Sequence, residues 1–151
     1  MKIAIIGGSN GGFATAADLA LAGHPVRLWT RTAATFGPLH DDPTIKLVAE
    51  GRQGSAKLER ATTDIAEAVR GAEVLIVPLP ATTHEDVAKR LAPHLTDRQI
   101  VLLTPGTLGS YVMAREIARA GGVLPRAIAE TGTLPYLTRR TGPNEIGRAH
   151  V

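Results

Sequence analysis

The 151-residue chain has no cysteine, only 3% aromatic residues and no long apolar run. Each shortage excludes something. Without thiols there are no disulfides and no thiolate metal sites, which fits a reducing, cytoplasmic compartment. Aromatics this scarce cannot build base-stacking platforms, and the formal net charge of +3 is scattered along the chain, so nucleic acid is not the expected partner. A small anionic ligand is use enough for a few arginines. No apolar stretch approaches the roughly 20 residues that span a bilayer. The opening "MKIAIIGG" is cut short by glycine, so it does not read as a signal peptide either. His24, His40, His94 and His150 have no metal-ligand spacing, and no metal site is expected.

What remains is an ordinary globular composition, 44% hydrophobic and 21% charged, long enough for one domain with its own core. Apolar bursts at 3–6, 26–29, 74–77, 100–103 and 127–129 alternate with helical patterns at 13–22, 65–70, 85–95 and 108–120. That rhythm predicts an α/β fold, a doubly wound and mostly parallel sheet covered on both faces. Gly23, Gly71 and Gly121 follow three of the helices, where a C-terminal cap needs positive φ. Asp64 and Thr83 stand at N-cap positions. Residues 45–59, "IKLVAEGRQGSAKLE", break the rhythm and predict a small inserted hairpin.

The most informative stretch is "IAIIGGSNGGFATAADLALAGH", a strand, a glycine-rich loop and a helix. This is the context of the dinucleotide fingerprint in a Rossmann-type domain. Gly7 makes the tight turn, the next key position lets a pyrophosphate approach, and Gly12 lets the helix pack on the sheet. Asn10 and Gly11 lie between, at a helix start whose N–H groups and dipole favour phosphate. Ser9 replaces the second glycine; its Cβ crowds the phosphates unless the hydroxyl itself donates to one. The second strand ends in Thr30 and Arg31 where NAD-binding domains usually carry an acid, which favours NADP over NAD. Leu79 and Pro80, and Thr104 and Gly106, follow later strands, where ligands collect in open sheets; rigid turns explain them nearly as well. His84 opens a helix and reads as solvated rather than as a ligand contact.

Three stretches together resemble the opine dehydrogenases (octopine, nopaline and related enzymes). They are "IGGSNGGFATAADLALAGHPVRLW", "GAEVLIVPLPATTHEDVAKRLAPHL" with its Pro80, Ala81 and His84, and "AETGTLPYLTRR" with Glu130, Thr131, Pro135, Tyr136 and Arg139. The resemblance implies reductive condensation of an α-keto acid with an amino acid or amine, at the expense of NADPH or NADH. It also implies a C-terminal helical domain, absent here, that carries the catalytic acid/base. No catalytic residue is therefore assigned to this chain. Tyr136 and Arg139 are expected to face substrate. A glycerol-3-phosphate dehydrogenase or ketopantoate reductase is the alternative enzyme, and a stand-alone nucleotide-sensing module the alternative without catalysis.

The last residues, "EIGRAHV", match what a common sequencing adapter encodes in one frame up to its stop codon. The expectation is a dinucleotide-binding domain over 1–144 and a read-through tail over 145–151.

Overall fold

The aliphatic run Ile3–Ile6 forms strand β1 and is buried on both faces, as a central strand of a parallel sheet must be. The computed structural model describes residues 1–49 and 51–148. Within them follow α1 (Asn10–Leu21), β2 (Val26–Trp29), β3 (Thr44–Ala49), β4 (Arg52–Lys57), β5 (Arg60–Thr62), α2 (Ile65–Val69) and β6 (Val74–Val77). The second half adds α3 (His84–Leu91), β7 (Ile100–Leu103), α4 (Gly109–Arg119), β8 (Ala127–Glu130), β9 (Thr138–Gly142) and β10 (Glu145–Arg148).

Six strands make one sheet in the order β5-β2-β1-β6-β7-β8, every adjacent pair parallel. The chain winds outward from β1 to β2 and β5, then crosses back to β6 and outward to β7 and β8. Its direction reverses between β1 and β6. Such a reversal leaves a crevice at the carboxyl ends of the strands, where open α/β sheets bind ligands. The doubly wound expectation is met.

Successive residues of β1 face opposite layers. Ala4 and Ile6 join Leu75, Val77, Val101 and Leu103 in a core that also holds Val69 of α2, Leu91 of α3 and Ile117 of α4. Ile3 and Ile5 join Val26, Leu28 and, from α1, Phe13 and Ala17. Burying each such Ile or Leu is worth about 1.5–3 kcal/mol.

The caps follow their chemistry with one exception. Gly23, Gly71 and Gly121 sit at φ +87, +72 and +72. Asp64 accepts the Ala66 N–H at 2.9 Å. Thr83 makes no such bond, because its hydroxyl donates to the Pro80 carbonyl at 2.7 Å and closes the short turn Ala81–Thr83. Helix α1 starts at Asn10 rather than at residue 13, since Ser9 caps it.

The expected hairpin is β3 and β4, paired antiparallel, but it does not stand alone. Strand β10 adds parallel to β3, and β9 adds antiparallel to β10, giving a second sheet in the order β4-β3-β10-β9. Ile45, Leu47, Ala56 and Ile146 from this sheet enter the same core as Phe13 and Ala17. Strand β5, beside β2, was also unexpected. Of the tail assigned to 145–151, Glu145–Arg148 form β10 and the last three residues lie outside the described residues. Among the described residues, no helix is long and apolar enough to cross a membrane.

Candidate functional site

At the end of β1, Gly7 turns the chain with φ +135, a conformation that favours glycine. A Cβ on Gly7 would lie 2.5 Å from Leu79 Cδ2, and one on Gly12 would overlap the Gly7 carbonyl oxygen. Helix α1 therefore approaches the sheet as closely as the backbone allows. Ser9 Oγ accepts the Gly12 N–H at 3.0 Å and donates to the Pro78 carbonyl at 2.7 Å. The hydroxyl proton is thus spent inside the protein, tying the loop to the end of β6. It is not turned toward a phosphate. The N–H groups of Gly8, Ser9, Asn10 and Gly11 take no acceptor among the described residues. Four donors at the positive end of α1 form a site that favours an anion.

Two clefts flank this loop and meet along Ser9 and Leu79. The first, about 430 Å³, lies toward β2 and is walled by Gly7, Gly8, Thr30, Arg31, Thr35 and Asp86, among others. Thr30 is buried and donates to the Thr32 carbonyl at 2.9 Å, whereas Arg31 is exposed. Asp86 Oδ2 accepts Arg90 Nε at 2.8 Å. That bond, with smaller help from the charges of Arg90 and Arg31, holds the Asp86 carboxyl below its usual range.

The second cleft, about 520 Å³, lies toward β7 and includes Asn10, Gly11, Pro80, Thr104, Tyr136 and Arg139 in its walls. Leu134 and Leu137, also in its walls, are 55% and 70% exposed, so this side is open and apolar at its rim. Thr104 Oγ1 is buried with no partner among the described residues. A buried hydroxyl of this kind is costly unless something bonds to it.

Gly7, Ser9, Asn10, Gly11, Thr30, Arg31, Leu79, Pro80 and Thr104 are thus brought to the two clefts. Two other residues of the expected cofactor-binding set, Gly12 and Gly106, are not. Gly12 faces the sheet, and its role is close packing. Gly106 borders neither cleft: its N–H donates to the Thr131 carbonyl at 3.0 Å, and a Cβ there would overlap Glu130. Glu130 in turn accepts the N–H groups of Leu108 and Ser110 at 3.0 and 2.8 Å, capping α4 from another strand. The Ser110 amide is the main reason its carboxyl titrates below the usual range.

Tyr136 borders the second cleft, but its hydroxyl donates to Asp18 Oδ2 at 2.8 Å, and Asp18 Oδ1 pairs with Arg52 Nε at 2.7 Å. Burial first, and Asp18 second, raise the phenol well above its usual value. The hydroxyl fastens this segment to α1 and is not free to exchange protons with a substrate. His84 is fully buried, not solvated; its Nε2 lies 3.1 Å from the Leu79 carbonyl and it borders neither cleft.

Sequence reasoning missed Arg140. Its guanidinium lies 4.1 Å over the Phe13 ring and donates to the carbonyls of Thr35 and Pro143. Its N–H donates to Asn10 Oδ1 at 3.2 Å. The strand alternation in "TRRT" was the available signal, since adjacent arginines must face opposite ways. Arg139 is exposed and Arg140 pins β9 to the glycine loop.

These features fit a nicotinamide dinucleotide: two clefts that share a wall, unsatisfied amides at their junction, and an orphaned buried hydroxyl in the second. Comparison with known proteins agrees. Residues 2–120 match the family described as NAD-dependent glycerol-3-phosphate dehydrogenase N-terminus. Opine dehydrogenase of Arthrobacter sp. (strain 1C) is 32% identical over 143 residues, 95% of this chain and 40% of the relative. Glycerol-3-phosphate dehydrogenase (NAD(P)+) of Nitratidesulfovibrio vulgaris (strain DP4) is 35% identical over 102 residues, 68% of this chain and 31% of the relative. Octopine dehydrogenase, solved with NADH and L-arginine, superposes with a TM-score of 0.81 at 22% identity, over 99% of this chain and 40% of that one. The resemblance to opine dehydrogenases is borne out, and the fold with it. The chain spans between 31% and 40% of the length of these relatives. These relatives are named as dehydrogenases, and the family match identifies the chain with the nicotinamide-dinucleotide-binding N-terminal part of such proteins.

Proposed function

The chain belongs to the family of NAD-dependent glycerol-3-phosphate dehydrogenase N-terminal domains, and from that premise we propose that it is the cofactor-binding part of an opine dehydrogenase-like enzyme. The observation that carries the reading is the group of four unsatisfied amides, Gly8 to Gly11, between two clefts at the reversal of the sheet. These amides hold the diphosphate. Gly7 turns the chain and Gly12 lets α1 close on the sheet, which together present these amides; Ser9 contributes its amide and keeps the loop in shape. Thr30 and Arg31 take the adenosine end, with the Arg31 guanidinium bonding a 2′-phosphate, so that NADPH is preferred to NADH.

In the second cleft, Leu79 and Pro80 wall the nicotinamide end and the Thr104 hydroxyl finds its missing partner there. Arg139 holds a substrate carboxylate, and the Tyr136 ring with Leu134 and Leu137 sheds water from that side. When bound, the reduced dinucleotide would supply a hydride to the carbon of the C=N bond that an α-keto acid and an amine form with loss of water, and a proton on nitrogen would complete the secondary amine. The choice of opine-type substrate is supported by the reach of the similarity. The match to the Arthrobacter enzyme must run past residue 120, into the region of Tyr136 and Arg139, where the glycerol-3-phosphate dehydrogenase family match has ended.

The family match itself favours a second reading, oxidation of glycerol 3-phosphate. An assay of the protein encoded by the whole gene separates them. Loss of NADPH absorbance that requires pyruvate together with an amino acid supports the first. Reduction of NADP+ or NAD+ by glycerol 3-phosphate, with no turnover of pyruvate and amino acids, contradicts it.

A further inference from the structure

Among the described residues, the walls of the first cleft carry one cation, Arg31, and one carboxylate, Asp86. Asp86 stands in the first turn of α3, and its partner Arg90 lies one helical turn on. Neither is buried: the side chains are 54% and 44% exposed, so the fold does not need this acid for packing. Its neighbour Glu85 pairs with Lys89 in the same i,i+4 fashion at 2.6 Å, yet does not border the cleft. Of two equivalent ion pairs on one helix, only one places its acid in the cleft that Arg31 also lines.

We propose that Asp86 is a specificity-determining residue, a negative charge in the same cleft as Arg31 that opposes a nucleotide 2′-phosphate and tempers the preference for NADPH over NADH. This rests on the reading that Arg31 bonds that phosphate. The 2′-phosphate adds negative charge that NADH lacks, so a carboxylate in the same cleft repels one nucleotide more than the other. Arg90 shields Asp86 and keeps the penalty moderate. The sign of the effect distinguishes this role from the alternative use of an acid near an adenosine ribose, which is to accept the hydroxyls of NADH.

The test titrates the 151-residue chain and its variants with NADPH and NADH at low and high salt, with circular dichroism confirming the fold. Asp86→Asn tightens NADPH by about threefold to tenfold and leaves NADH within about twofold. Arg90→Ala weakens NADPH by about twofold to threefold, and both changes shrink as salt rises. Weaker NADH binding by Asp86→Asn, or an unmoved NADPH-to-NADH ratio, overturns the proposal. Arg31→Ala separates the two layers of argument. If it lowers the ratio while Asp86→Asn does nothing, only the role of Asp86 fails. If it leaves the ratio unchanged, the 2′-phosphate reading fails and the proposal with it. Absence of saturable binding of either nucleotide overturns both.

Discussion

The two clefts beside the glycine loop share Ser9 and Leu79 but differ in how they are finished. The first, toward β2, carries one cation and one carboxylate in its lining, Arg31 after β2 and Asp86 on α3, and a buried threonine. The second, toward β7, is rimmed by exposed leucines and leaves a buried threonine hydroxyl without a partner. One side is equipped to recognise a charged ligand end by itself. The other is an apolar wall with unsatisfied chemistry behind it. The contrast teaches where the proposed roles can be tested apart: a change in the charged lining of the first cleft should act on nucleotide choice, and a change in the apolar rim of the second should not.

The largest expected effect breaks both clefts at once. Gly12→Ala forces a Cβ into the Gly7 carbonyl oxygen and pushes α1 off the sheet, at a cost of about 3 kcal/mol or more in thermal denaturation. It abolishes binding of 5′-AMP and NADPH alike. A variant as stable as the parent would mean that the loop does not depend on this contact.

Arg31→Ala touches one side only. NADPH affinity falls by about tenfold to a hundredfold, the worth of a charged hydrogen-bonding partner, while NADH changes little. Equal losses for both nucleotides would erase the distinction between the clefts.

Tyr136→Phe is smaller. It removes the bond to Asp18 but leaves Asp18 paired with Arg52, so stability falls by about 1 kcal/mol. Binding of 5′-AMP, proposed for the first cleft, is unchanged in calorimetry; a loss there would couple the sides more tightly than the geometry does.

The gentlest probe is acid. Glu130, with its carboxyl held below the usual range chiefly by the Ser110 amide, stabilises the start of α4 above pH about 4.5 and loses that contribution as pH falls through its depressed value. In denaturant unfolding across pH 3–6, Glu130→Gln flattens the slope at the acid end. An unchanged slope would show that the cap contributes nothing.

Local chemistry made much of this legible. Five strands of the main sheet follow directly from apolar bursts: β1 is buried throughout, β6 and β7 carry unbroken aliphatic runs, and β8, exposed at the edge, is still marked by its short apolar run. Gly7 and Gly12 were readable as packing and turn positions for the same reason: no other residue fits. Strand β5 was hidden because Arg60–Thr62 is short and polar, and it owes its place to pairing with β2. The second sheet was hidden because β10 owes its place to a partner, β3, far back in the chain, and β9 joins the sheet only through β10. The Tyr136 and Arg140 tethers were hidden because they run to residues distant in sequence, Asp18 and Thr35. His84 bonds to nearby Leu79, and was misjudged because its burial comes from packing against Gly109, beside Leu103.

The central claim is that the amides between Gly7 and Gly12 receive the diphosphate of a nicotinamide nucleotide. Nitrogen-15 spectra of the chain during titration with NADPH address it directly. Saturable shifts centred on the Gly8, Ser9, Asn10 and Gly11 amides, reproduced by inorganic pyrophosphate at higher concentration, are the predicted result. Saturation that leaves those four signals in place and moves others instead would contradict it.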